Sequence, residues 1–374
     1  LDGASIQTLQ DGIGDGSSIS IEARERLTID QADSPTNSAD GSDLTGSLGI
    51  LSRITNSSPD NRNQIAIQTP VLEVLNGGNI KSVVAGTGNG VNIVIDAPER
   101  VTLTGRIVEL ADNLPANPSL FDETAAGIAT VSISSMRGDR RTVQDRAGDI
   151  RLNTALLEVL DGASIYSQNS FGAQTGSIQI SAMDRIVLDS TRTLAESPTI
   201  SGIFTVVPRI SSGNSDTIQI FTETLNILNG AQISTVNQGD GKAGDIELQV
   251  GDRLRIQGTS PRTTLLLSPF GGAIRGNARS SIISTAIGDN DSGSIQIQSG
   301  ELHVLDGGEI NTSVFGQGNA GDIEIRATEE VRFQGFTSDI VEGIDLNTGL
   351  ASSSRLPSRA FSLVGVNATG KGGD

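Results

Sequence analysis

One six-residue phrase returns five times along this 374-residue chain. It reads Leu, Asp or Asn, Gly, Ala or Gly, any residue, Ile, and begins at Leu1, Leu75, Leu160, Leu228 and Leu305. Its surroundings return with it. Thirteen residues after each phrase isoleucine stands another: Ile6 to Ile19, Ile80 to Ile93, Ile165 to Ile178, Ile233 to Ile246 and Ile310 to Ile323. Eight residues further on comes an apolar residue, at Leu27, Val101, Ile186, Leu254 and Val331. Ile65, Ile150, Ile218 and Ile295 each precede the next phrase isoleucine by 15 residues. Only the segment leading into this last group varies, from 32 to 49 residues. Self-similarity at fixed offsets marks a repeat array, whose function resides on a long surface rather than in one deep pocket.

The segments between turns are short and alternate. Ile93-Val94-Ile95, Ile178-Gln179-Ile180 and Ile295-Gln296-Ile297 place apolar residues at every second position, the strand period. Gly, Asn, Asp and Ser separate them, as tight turns require. A propeller would need antiparallel hairpins and aromatic signatures, but aromatics make up 3% of the chain and Trp is absent. Rigid offsets suit a parallel β-helix, in which each residue stacks on its counterpart one coil away. The 28-residue path from Ile65 through Ile80 to Ile93 then reads as one coil of three strands, and the longer path as a second coil with an insert. The expectation is an all-β parallel β-helix with two coils per 68–85-residue unit. It forms a single rod over 1–374, with units at about 1–74, 75–159, 160–227, 228–304 and 305–374. Ten coils would make a rod of roughly 50 Å. Variable inserts are placed near 30–48, 106–127, 191–207, 259–278 and 335–358, all leaving the unit at one point.

A formal charge of −18 excludes a basic nucleic-acid stripe and disfavours anionic membrane surfaces. No apolar run is long enough for a membrane span, and no signal peptide is visible at Leu1. The chain has no Cys, and both ends lie within a repeat unit, so it reads as a slice of a longer protein.

Two stretches carry a resemblance: Gln238-Gly239-Asp240-Gly241-Lys242-Ala243-Gly244-Asp245-Ile246-Glu247-Leu248 and Phe315-Gly316-Gln317-Gly318-Asn319-Ala320-Gly321-Asp322-Ile323-Glu324-Ile325. With the Leu-Asp-Gly-Gly-x-Ile phrase and Val331-Arg332-Phe333-Gln334-Gly335, they resemble the repeats of filamentous-haemagglutinin-like exoproteins, especially those of cyanobacterial type. The resemblance implies a right-handed parallel β-helix, two-partner secretion of the parent protein and an extracellular or bacterial cell-surface location. The secretion domain of that family is not among these residues.

Enzymes built on β-helices need carboxylates clustered in a groove. The most regular acidic row is Glu25, Glu99, Asp184, Asp252 and Glu329, followed in four units by Arg26, Arg100, Arg185 and Arg253. It reads more simply as a solvated face on which acids and arginines offset one another. The turn acids Asp149, Asp245, Asp322 and Asp374, with Asp289 and Asp291, invite a calcium reading. Equivalent positions hold Ser17, Asn92, Ser177 and Ser294, however, so turn capping is the simpler role. Asp245, Asp289, Asp291 and Asp322 remain the weak calcium candidates, and no other cofactor or metal is expected. His303, the sole histidine, shares a slot with Glu73, Glu158 and Asn226 and is expected at the surface. No Ser-His-Asp set or Cys nucleophile is available, so no catalytic residue is expected.

The expected function is structural or adhesive: a stiff rod or fibre segment that mediates surface coating, adhesion, or cell–cell and matrix contact. Its partners would be neighbouring rods, further repeats of the same protein, or surface and matrix components, without nucleic acid or membrane insertion. A polysaccharide lyase or hydrolase, or a glycan-binding module, is the alternative. The inserts are the favoured contact elements, with Leu114, Phe121, Phe204, Leu266, Phe270 and Phe336 as contact residues. Their plainer role would be to cover apolar rows.

Overall fold

A computed structural model describes residues 5–14, 16–31, 49–56, 61–105, 127–132, 146–169, 173–191, 200–209, 211–267, 273–335 and 365–369. Among them there is no helix. The strands form levels, each with one strand in a first sheet and a longer or paired strand in a second. In chain order the levels are β1 (Ser5–Ile13) with β2 (Ile19–Glu22) and β3 (Arg26–Asp30), then β4 (Gly49–Asn56) with β5 (Gln64–Gln68) and β6 (Val71–Leu75). Next come β7 (Asn79–Val84) with β8 (Asn92–Thr104), β9 (Gly127–Ser132) with β10 (Ile150–Leu160), and β11 (Ser164–Gln168) with β12 (Ile178–Asp189). They are followed by β13 (Gly202–Val207) with β14 (Ile218–Leu228), and β15 (Gln232–Asn237) with β16 (Ile246–Gln257). A hairpin, β17 (Thr259–Leu267) and β18 (Ala273–Arg279), precedes β19 (Ser281–Ala286) with β20 (Ile295–Leu305). Last are β21 (Glu309–Val314) with β22 (Ile323–Gln334), and β23 (Gly365–Thr369). The first sheet has 10 strands and the second 11, and each grows in sequence order. Every pairing within them is parallel; only β17 and β18 pair antiparallel.

Register explains the rigid spacings. Ile19, Ile65, Ile93, Ile150, Ile178, Ile218, Ile246, Ile295 and Ile323 form one ladder, each paired with the next. Ile65 therefore stacks on Ile93, 28 residues on, as expected. The phrase isoleucines occupy a second ladder in the first sheet, and the phrase opens every second level. Between them lie Ile50, Ile128, Ile203 and Ile282 on β4, β9, β13 and β19. The inward side chains of both sheets merge into one aliphatic core from Ile19 to Ile310. Such burial is worth about 1.5–3 kcal/mol per side chain.

The phrase owes its composition to backbone geometry. Asn76, Asp161, Asn229 and Asp306 have φ between +48° and +57°, and Gly77, Gly162, Gly230 and Gly307 follow with φ between +86° and +97°. Two successive positive φ values define a type I′ turn, which Asn-Gly and Asp-Gly tolerate best. The turn closes with Gly78 N–H to Leu75 O at 3.0 Å and Ala163 N–H to Leu160 O at 3.0 Å. In alternate levels the same corner holds the variable segment, which rejoins at Gly49, Gly127 and Gly202. At Gly127, φ is +131° and a Cβ would lie 2.0 Å from Ser164 O, so only glycine fits.

Two expectations need correction. The insert placed at 191–207 is too long, because Gly202–Val207 is strand β13, buried throughout. Similarly, 259–278 contains the β17–β18 hairpin rather than an irregular segment. The first error arises because the alternate level carries its own first-sheet strand inside the stretch read as variable, whereas the hairpin forms a small sheet of its own.

A buried polar row also runs through the core. Two residues after each first-sheet isoleucine stands Ser or Thr: Ser52, Ser82, Thr130, Ser167, Thr205, Thr235, Ser284 and Thr312, none more than 1% exposed. Unpaired, each hydroxyl would cost about 1–3 kcal/mol. Several bind the backbone of the turn leading to the second sheet: Thr235 Oγ1 donates to Gly244 O at 2.6 Å and Thr312 Oγ1 to Gly321 O at 2.7 Å. Ser167 instead accepts from Gly176 N–H at 2.7 Å, and Ser284 both accepts from Gly293 N–H at 2.9 Å and donates to Gly244 O at 3.1 Å. The row pins the first sheet to these turns.

Candidate functional site

The turn acids bridge successive levels. Asp149 Oδ1 accepts from Ser177 N–H and Ser177 Oγ, both at 2.9 Å. Asp245 Oδ1 accepts from Ser294 N–H at 2.7 Å, and Asp289 Oδ1 from Gln317 N–H at 3.2 Å. Asp291 Oδ1 accepts from Asn319 N–H at 2.8 Å, and Lys242 lies 3.6 Å away. That backbone donor, with the amide and ammonium groups beside it, holds the Asp291 carboxyl below its usual range. Asp322 takes part through its backbone, its N–H donating to Ser294 Oγ at 3.3 Å. These geometries match turn capping. Among the described residues no three His, Asp or Glu converge as a metal cluster. Asp374 lies outside them.

The charged rows sit where the long strands of the second sheet bend, at register shifts such as Ala182/Arg185 and Val250/Arg253. Glu73 bridges two levels, 3.6 Å from Arg26 and 3.2 Å from Arg100. Arg253 Nε donates to Glu301 Oε2 at 2.5 Å, and that bond lowers the Glu301 pKa and raises that of Arg253. The arginines are thus offset by Glu73 and Glu301, which stand outside the acidic row, and not by Glu99 or Asp252 beside them in the chain. His303 shares a column with Glu73 and Glu158 through the ladder. Its side chain is outward as expected but only 16% exposed. It lies 3.6 Å from Glu301 and 3.5 Å from Glu330.

Of the proposed contact residues, Phe204 is on β13 and 5% exposed. It packs with Leu51, Val83, Ala129, Val131, Tyr166 and Val206 in a cluster on the outward face of the first sheet. It is therefore a packing residue of this chain, not an open contact. Ile200, at the return of the preceding variable segment, packs against the same cluster. Leu266 is on β17, in register with Ile274. Leu114, Phe121, Phe270 and Phe336 lie outside the described residues.

One feature had no counterpart in the sequence reading. An open groove of about 660 Å³ follows the bend of the second sheet from β12 to β22. Ser181, Phe221, Gln249 and Gln298 share one column of its lining, one residue per level. Met183, Glu223 and Thr328 flank this column, and Gly251 and Gly300 keep it open. Its column falls on the residue directly after Ile-x-Ile or its equivalent, at Phe221, Gln249 and Gln298, but alternation alone does not mark the bend that opens it. Compared with protein-family models, curated protein sequences and solved structures, the chain matches none.

Proposed function

We propose that this chain is part of a right-handed parallel β-helix that serves as a stiff structural or adhesive rod at a bacterial cell surface. The observation that carries this reading is the pair of unbroken isoleucine ladders, one in each sheet, with successive strands alternating between them. Winding the chain from one sheet to the other and back would make each level a coil, and the ten first-sheet strands would span roughly 43 Å at the strand spacing. Stacked aliphatic rows and continuous backbone ladders give such a rod stiffness without a catalytic centre. Four of the variable segments enter the first sheet at one corner, ahead of β4, β9, β13 and β23, so they would decorate one side. The apolar cluster around Tyr166 and Phe204 is already buried within the chain and adds to the rod's own packing. The acidic surface suits a soluble exterior. The resemblance to filamentous-haemagglutinin-like repeats agrees with export and surface location.

The test is display of the chain on a non-adherent bacterium, followed by counting cells retained on matrix-coated and cell-coated surfaces. Retention above that of cells displaying an unrelated β-rich domain of equal size is expected. No gain in retention on either surface, together with no binding between displaying cells, would overturn the adhesive role.

A further inference from the structure

The groove at the bend of the second sheet offers more than a mechanical rod requires. We propose that it binds a neutral, linear glycan laid along the stacking direction. This deepens the adhesive reading by naming its partner.

The shape comes first. The lining runs through five successive levels, β12 to β22, about 19 Å at the strand spacing. Its floor from β12 to β20 presents side chains, because each of those four strands is paired on both sides, whereas β22 ends the sheet among the described residues. A peptide adding to a sheet needs a free strand edge, which the groove does not offer between β12 and β20. A ligand here must be recognised by side chains, at a spacing of one level.

The chemistry comes second. Gln249 and Gln298 are exposed and make no side-chain hydrogen bond within the described chain, and the same holds for Glu223. Two primary amides and a carboxylate in a file supply both donors and acceptors for hydroxyl groups. Phe221 is half-buried one level before Gln249, and Met183 is 68% exposed, giving an apolar platform for the C–H face of a sugar ring.

An independent observation is the Ser299 hydroxyl. It lines the groove, is buried, and has no hydrogen-bond partner. The equivalent hydroxyls of Thr154 and Thr222 donate to Leu156 O at 3.1 Å and Thr224 O at 3.3 Å. A buried hydroxyl without a partner is a standing cost beneath the groove floor, and it marks the bend as a place where the chain's own hydrogen bonding is incomplete. The glycines keep the space clear: a Cβ on Gly251 would come within 2.3 Å of Glu223 Oε2.

Charge selects among glycans. The lining holds one carboxylate and no cation, on a chain of net charge −18. A polyanionic polysaccharide would be repelled, whereas a neutral one would not.

The experiment is titration calorimetry of the full chain with neutral hexasaccharides of β-1,4-glucan, β-1,3-glucan, α-1,4-glucan and β-1,4-mannan, and with polygalacturonate as the anionic probe. At least one neutral series should bind, and polygalacturonate should not. Phe221→Ala and the double variant Gln249→Ala/Gln298→Ala should each weaken binding by about tenfold or more, the scale of losing one good contact. Gln296→Ala, outward on β20 but outside the groove, should bind as the parent does. The double variant changes only exposed side chains, so it decides the matter if Phe221→Ala folds poorly. No binding by any neutral series, preference for polygalacturonate, or binding unaffected by the double variant would overturn the proposal. Imaging the same sample as rods separates failure of the groove from failure of the rod itself.

Discussion

Ile246 is the sharpest probe of the stacked core. It lies between Ile218 and Ile295 in the second-sheet ladder and is fully buried. Ile246→Val removes one methyl-sized group and should cost about 1 kcal/mol. Ile246→Ala removes the side chain beyond Cβ. Its neighbours are held by hydrogen-bonded strands on both sides, so the cavity cannot close well, and the cost should be about 3–4 kcal/mol. Ile246→Asp adds a carboxylate with no partner, which costs several kcal/mol more or forces the group neutral. Set against a typical total of about 5–15 kcal/mol, that is enough to disrupt the level. Gln249→Ala, on the same strand but exposed, should stay within about 0.5 kcal/mol. Urea denaturation followed by far-ultraviolet circular dichroism gives the series. If Ile246→Ala costs less than about 1 kcal/mol, or no more than Gln249→Ala, Ile246 is not in a packed row and the stacking argument fails.

The turn, the polar row, the acids and the proposed structural role each yield a further expectation. Gly162→Ala should destabilise by about 1–2 kcal/mol in the same assay, because φ at Gly162 is +86°, whereas Asp161→Gly should be close to neutral. Thr312→Val should cost about 1–3 kcal/mol although it is isosteric and more apolar, since Gly321 O loses its donor. Asp291 has a pKa depressed by folding, so its contribution is present above the unfolded carboxyl value and disappears as pH falls through the lower folded value. Acid titration of Asp291→Asn should therefore show a smaller loss of stability on the acidic side than the parent chain. Incubation with acidic and neutral polysaccharides, with and without calcium, should release no new reducing ends or unsaturated products.

The ladders were legible because burial forces one residue type at one offset, level after level. Ile93, Ile178 and Ile246 stand at constant distance from the phrase for that reason. The type I′ corner was visible as Asp-Gly and Asn-Gly, although its positive φ pair needed coordinates. The first-sheet strands of the alternate levels were missed because they lack the turn that advertises the others. Their own mark is glycine or serine before isoleucine, followed two residues later by a hydroxyl: Gly49-Ile50-Leu51-Ser52, Gly127-Ile128-Ala129-Thr130, Gly202-Ile203-Phe204-Thr205 and Ser281-Ile282-Ile283-Ser284. That pattern would also have placed Phe204 on a strand. The groove was not legible, because it arises where strands bend at a register shift, and alternation gives no warning of a bulge. Charge pairing was read in kind but not in partner, since Glu73 and Glu301 reach Arg100 and Arg253 across levels rather than along the chain.

The central claim is that residues 28 apart stack side by side in parallel strands. The chain has no cysteine, so introduced pairs report without background. Arg151 on β10 and Gln179 on β12 are in-register partners on the outward face. Arg151→Cys/Gln179→Cys should form an intramolecular disulfide readily under mild oxidation, because neighbouring strands bring Cα atoms to about 4.8 Å, within the range a disulfide spans. Arg151→Cys/Ser181→Cys, shifted by two residues on the same face, should cross-link far less. Equal cross-linking of the two pairs, or none in the first, would contradict the stacked register on which the whole account rests.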